Sequence, residues 1–284
     1  MVRKDILVTI LINNFNNQKF LKKCINSCLA QSYKNIEIII YDDNSNDHSK
    51  KILKKIRNKK IKKIFNSKKK FSSSALNQLD AIQKSFLKSK GEIIFLLDSD
   101  DHFLKDKVKI IVNEFKKNND INFIQDNPVY FYPEKNLKLN KKIKKKYFTL
   151  HTWPYFHPTS TMVFKKNLLK KILKEISFSK NIFGKMFFDA RAMIYIYFFG
   201  NNYLNLDKNL TIYTQNDKGD TLSNYDNKNL IWWKRRLEYH RFVKKLFQRK
   251  NKFHFKFLDY YLTLIINIFL VRLNKFKGFT FRIT

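Results

Sequence analysis

Apolar positions in the first 115 residues alternate between short β-branched runs and stretches at helical spacing. Ile6 to Ile12 has strand length, and Asn13-Asn14-Phe15-Asn16-Asn17 closes it as a turn-rich loop. Phe20, Leu21, Cys24, Ile25, Cys28 and Leu29 then recur along one helix face. Ile36 to Tyr41 predicts a second strand, closed by the polar run 42–47. Ile52, Leu53 and Ile56 mark a basic helix, Ile61 to Phe65 a weak strand, and Ala75 to Leu87 a further helix. Gly91 ends that segment, and Glu92 to Leu97 forms a fourth strand running into Asp98-Ser99-Asp100-Asp101. This rhythm predicts an α/β fold with a Rossmann-like, mainly parallel central sheet flanked by helices. In such sheets ligands gather at the carboxyl ends of strands, where loops 13–17, 42–47 and 98–101 fall.

The second half is less regular. Leu104 to Phe115 predicts a helix, Ile121 to Ile124 and Val129 to Tyr132 two strands, and the lysine-rich stretch 135–146 an exposed loop. Thr159 to Phe164 reads as a strand, Lys166 to Leu173 and Phe183 to Phe199 as helices, and Leu210 to Thr214 as a strand. From Lys228 onward the pattern is helical and basic. The division expected is a domain over 1–225, with halves 1–115 and 116–225, followed by a helical region over 226–284.

Composition narrows this picture. With 44% apolar residues the chain can build a sizeable core, and 5 Gly with 4 Pro exclude collagen-like and low-complexity architectures. Two cysteines make no disulfide scaffold, and Cys24 and Cys28, one helical turn apart, read as small core residues rather than a zinc site. The formal charge of +35 invites nucleic acid as a partner. The crowding of Lys, Asn, Ile and Phe looks instead like the imprint of an AT-rich genome, and no zinc-finger spacing, RNP signature or arginine-rich arm is present. The opening apolar run is short and lacks a small-residue cleavage site, so a buried strand is the better reading than a signal peptide.

The candidate chemistry is acidic. Alternation puts Asp98 and Asp100 on one side of an extended segment, offering hard oxygen ligands to Mg²⁺ or Mn²⁺, with Asp101 a third carboxylate. The plain alternative is an Asp-rich turn capping the next helix. Asp43 can accept the imide N–H of uracil, and Phe15 can stack on a base, although Asp-Asn-Ser clusters are also ordinary turn material.

Four ordered blocks carry a resemblance: Val8 to Asn16; Ser27-x-Leu29-x-Gln31-Ser32-Tyr33-Lys34-Asn35-Ile36-Glu37; Ile38 to Asp47; and Gly91 to Asp101. They resemble the corresponding blocks of family 2 glycosyltransferases of the GT-A fold. The resemblance implies a nucleotide-diphosphate sugar donor, UDP-linked by preference, and a divalent metal. It places Asn13, Phe15, Asp43, Asn77 and Asp98 around the nucleotide and Asp98, Asp100 and Asp101 at the metal. Asn13, Phe15 and Leu76 depart from the usual Pro, Tyr and Arg, with Lys68, Lys69 or Lys70 available to replace the missing cation. The family's catalytic base maps onto Asp189, with Phe188 in place of the usual Glu; a salt bridge from Asp189 to Arg191 or Lys185 is the competing reading.

The implied activity is inverting, metal-dependent transfer to a glycan or lipid-linked acceptor in bacterial surface glycan synthesis, in the cytoplasm, with peripheral placement on the inner face of the plasma membrane left open. A degenerate GT-A scaffold and a basic nucleic-acid binder are the alternatives, and a sugar nucleotidyltransferase is disfavoured because loop 13–17 has neither Gly nor Arg. His151 and His157 fall on the acceptor side as contacts or as ordinary hydrogen-bonded groups, and Asn216 or Asp217 stands where many members carry a His. The apolar tail, 253–273, is interrupted by Asp259 and Asn267 and falls short of a spanning helix. Peripheral membrane contact, packing on the catalytic domain and a homodimer are all open to it.

Overall fold

The computed structural model describes residues 5–140, 156–200, 202–215, 230–252 and 257–276. The chain divides into two compact units, residues 1–144 with 155–216, and 145–154 with 217–284.

In the first unit the β-α-β rhythm is realised. Strands β1 (Val8–Asn14), β2 (Ile36–Asp42), β3 (Ile61–Phe65) and β4 (Ile93–Asp98) lie parallel in the order β3-β2-β1-β4. Ile10, Ile12, Ile38, Ile40, Phe95 and Leu97 are buried because both sheet faces are covered, which is why β1, β2 and β4 read as continuous apolar runs. Helices α1 (Gln18–Leu29), α2 (Ser49–Lys55) and α3 (Ser74–Phe86) are the crossovers. Ser73 caps α3, its Oγ accepting from the N–H of Leu76 at 3.2 Å. At Gly91 a Cβ would lie 2.5 Å from the backbone nitrogen of Thr9, so the turn into β4 has room for hydrogen alone.

The second half extends the same sheet with mixed polarity. After β5 (His102–Phe103) and α4 (Lys107–Lys117) come β6 (Phe123–Tyr132), β7 (Leu137–Asn140), β8 (Met162–Lys165), α5 (Lys166–Glu175), α6 (Phe188–Phe199) and β9 (Tyr203–Thr214). β8 pairs antiparallel with β4 and β6, β9 parallel with β6, and β5 antiparallel with β9. Several elements differ from expectation. The two strands expected over 121–124 and 129–132 are one strand, β6, starting at Phe123, whose pairing with β9 shifts register at Asp126, Asn127 and Pro128. The polar residues and proline that resemble a turn form a bulge, which tolerates proline's missing N–H. α4 starts at Lys107 because residues 102–103 pair with β9 and the Leu104 N–H donates to the Leu210 carbonyl at 3.0 Å. α6 starts at Phe188 because Phe183 sits at φ 62° and Phe187 is extended, which ends any helix upstream. Of the expected lysine-rich loop, 137–140 is β7, and 141–146 lie outside the described residues.

In the second unit, α7 (Leu230–Arg249) and α8 (Phe257–Phe276) pack on one another. Among the described residues, no helix is long and apolar enough to cross a membrane.

Candidate active site

The carboxyl ends of β1, β2 and β4 lie side by side, with Asn13 registered on both Tyr41 and Asp98. Asp42 is fully buried and accepts from Asn14 Nδ2 at 2.7 Å and from the N–H and Oγ of Ser45 at 3.0 and 2.7 Å. It therefore fastens the loop, while its neighbour Asp43 takes one bond from Asn66 Nδ2 at 2.8 Å. Phe15 is 41% exposed, and Lys69 Nζ lies 3.0 Å from the centre of its ring. Asn77 is buried, with its amide donating to and accepting from the backbone of Phe71. It ties down the loop that carries Lys69.

The turn after β4 is held from two sides. Ser160 Oγ donates to Asp101 Oδ2 at 2.5 Å and accepts the Asp98 N–H at 3.0 Å. The Thr214 N–H donates to Asp101 Oδ1 at 2.7 Å, and its hydroxyl to the Asp100 carbonyl at 2.6 Å. Both oxygens of Asp101 are thus bound, whereas Asp98 and Asp100 keep part of their surface open. Burial raises the Asp98 carboxyl to about 6 against bonds from Gln78 and Asn13. Burial and then the charge of Asp98 raise Asp100 to about 7. Asp101 is pushed well above the usual range by burial, then by Asp100 and Asp98. Close carboxylates so destabilised as anions are the donor set a hard divalent cation satisfies. Among the described residues, no three His, Cys, Asp or Glu side chains converge on one point, so a cation here would draw on Asp98 and Asp100 and on oxygens from elsewhere.

The start of α6, which carries Asp189, approaches the same turn. The Tyr213 hydroxyl is pushed well above its ordinary value by burial and then by the charges of Asp101, Asp100, Asp189 and Asp98 together. Gln78 links the two ends of the cleft. Its Nε2 donates to both Asp98 oxygens at 3.3 Å, and its Oε1 accepts the N–H of Phe188, the residue before Asp189, at 3.1 Å. Asp189 stands in the first turn of α6, where the helix dipole favours a carboxylate.

The model of one family, described as glycosyl transferase family 2, matches residues 9–179. The chain belongs to this family. A UDP-Glc:alpha-D-GlcNAc-diphosphoundecaprenol beta-1,3-glucosyltransferase of Escherichia coli, WfaP, is 35% identical over 125 residues, 44% of each chain. An uncharacterized glycosyltransferase of a Nostoc species is 27% identical over 177 residues, 58% of this chain and 52% of that one. The chain therefore spans about half the length of the curated relatives it matches. Among solved structures, S. aureus TarS 1–349 in complex with UDP-GlcNAc aligns at TM-score 0.58 and 16% identity, over 84% of this chain and 66% of that one. The mannosyltransferase PcManGT from Pyrobaculum calidifontis, in complex with GDP-Man and Mn²⁺, aligns at 0.57 and 13%, over 87% and 65%. These likenesses confirm the GT-A fold.

Several residues of this family 2 site carry no local signal. Gln78, Ser160 and Thr214 act on the aspartates from 20, 59 and 113 positions away. Lys107, fully buried, pairs with buried Asp126 at 2.8 Å and donates to the Ser160 carbonyl at 2.9 Å and to Thr211 Oγ1 at 2.5 Å. Burial pulls both members of that pair towards neutrality, and their attraction resists it. Arg191 is buried and donates to the carbonyls of Ser179, Ile182, Phe183 and Met186, fixing the loop ahead of α6. His157 is buried, its Nε2 3.0 Å from Asn127 Oδ1, and burial lowers its ring to about 4. His151, Asn216 and Asp217 lie outside the described residues.

Proposed function

We propose that this family 2 protein transfers a sugar, with inversion, from a UDP-sugar to a hydroxyl of a lipid-linked or glycan acceptor at the inner membrane face. The observation that carries this reading is the Gln78 amide, which bonds Asp98 in the turn after β4 and the Phe188 N–H at the start of the helix bearing Asp189. On this reading, Phe15 and Asp43 receive the nucleoside from the ends of β1 and β2, and Lys69 supplies positive charge beside them. Asp98 and Asp100 would hold Mn²⁺ or Mg²⁺, which when bound offsets negative charge on the diphosphate. Asp189 takes the acceptor's proton while that oxygen bonds to the anomeric carbon and the diphosphate leaves with the electrons of the broken C–O bond. The undecaprenol-linked acceptor in the name of WfaP and the UDP-GlcNAc bound to TarS support this substrate class.

The test separates binding from chemistry. Asp189→Asn is expected to keep its UDP-sugar thermal shift in Mn²⁺ and to lose turnover by about 10²–10⁴-fold. Retained turnover would remove Asp189 from the role of base. A nucleotide-sugar screen with no shift for any donor would favour a degenerate scaffold.

A further inference from the structure

Helix α8 is amphipathic with its polarity reversed. Asp259, Thr263 and Asn267, spaced four apart, form a polar stripe that faces α7, with Thr263 and Asn267 buried and Asp259 largely covered. Asp259 bonds Arg236 Nη2 and lies 3.3 Å from His240 Nε2. Thr263 Oγ1 accepts from Arg236 Nε at 3.1 Å, and Asn267 Nδ2 donates to the Trp233 carbonyl at 3.0 Å. The opposite side carries Leu258, Tyr261, Leu262, Ile265, Ile268 and Phe269, which are 47% to 81% exposed. At 100° per residue these six fall within an arc of roughly 120°. A helix that spends its polar groups on its neighbour and turns its apolar groups outward is built for an apolar medium on the outside.

The charge on the hairpin selects the occupant. Lys234, Arg241, Lys244, Lys245 and Arg249 are exposed on α7, whereas α7 and α8 carry one Glu and one Asp between them. That Asp, residue 259, is consumed by Arg236 and His240. A second copy of the chain would bring the same cations towards the same cations. An anionic bilayer offers headgroups to the cations and acyl chains to the stripe. The polar stripe on α8 rules out crossing, so the helix lies in the interface plane.

We infer that the α7–α8 hairpin docks on an anionic lipid surface, with the 258–269 stripe of α8 immersed in the acyl boundary. This rests on the hairpin alone and not on the transfer reaction. The test is co-sedimentation of the full chain with phosphatidylcholine vesicles, with and without about one third phosphatidylglycerol. Wild-type protein is expected to pellet with the anionic vesicles and at least tenfold less with the neutral ones. Leu262→Glu with Ile265→Glu, both at exposed positions, is expected to abolish pelleting while leaving Tm and the UDP-sugar thermal shift unchanged. No pelleting of the wild type, or equal pelleting of the double variant, overturns the inference. A dimer that the double variant splits, with no vesicle binding, makes a second copy the occupant and overturns it too.

Discussion

Helices α1 and α8 use the same period in opposite senses. In α1, Leu21, Cys24, Ile25 and Cys28 are buried, and Lys19, Lys22, Lys23 and Asn26 are exposed. In α8 the stripe facing α7 is Asp259, Thr263 and Asn267, and the exposed one is aliphatic and aromatic. A periodic pattern thus states that a helix has two faces without stating which one is inside. The buried carboxylates differ in the same way. Burial pushes Asp98 and Asp100 up, with the charge of Asp98 adding to the shift of Asp100, whereas burial of Asp259 is outweighed by bonds from His240 and Arg236, which hold it well below the usual range. One cluster is destabilised as anions, and the other anion is bound.

The contrast breaks most visibly under a single charge. Leu21→Glu is expected to cost about 4 kcal/mol or more by burying an unpaired carboxylate, whereas Ile265→Glu changes stability by no more than about 0.5 kcal/mol. Denaturant midpoints for the two variants decide this, and equal losses would mean that the α8 stripe is covered. Next in size, Asp259→Asn strands Arg236 and is expected to cost the hairpin about 2–3 kcal/mol, read as faster hydrogen exchange across 257–276. Because the folded carboxyl is depressed, this contribution is present above the unfolded value near ~4 and is lost as pH falls towards the folded one.

The smallest effect has the opposite sign. Asp98 and Asp100 hold protons up to about 6 and 7, so their contribution favours the unliganded fold at low pH and fades as pH rises through that window. On the proposed reading, a divalent cation would replace those protons. The thermal shift in Mn²⁺ is therefore expected to grow by a few degrees between pH 5.5 and 8. A shift that is flat or falls with pH would count against cation binding at this pair.

Much of the parallel half was legible because its signals are local. Each of β1, β2 and β4 is a buried apolar run ending in a polar loop, and Asp98 to Asp101 are consecutive. What stayed hidden depends on distant partners. Asp126 and Pro128 imitate a turn until Lys107 neutralises the one and a bulge accommodates the other. The polar residues at 259 and 267 looked like interruptions of an apolar helix, since their partners at 233, 236 and 240 lie across a chain reversal. Asn77 carries the expected residue type, yet both ends of its amide go to Phe71.

Gln78 has a consequence of another kind. One flat amide, with its NH₂ on Asp98 and its oxygen on the Phe188 N–H, works as a rigid strut between the donor-facing turn and the helix bearing Asp189. Its two ends demand opposite hydrogen-bond polarity. Glutamate in its place would accept from Phe188 but repel Asp98, and lysine would serve Asp98 but leave the helix start unmet. The approach of the start of α6 to the turn after β4 is thereby tied to the reach of a single side chain.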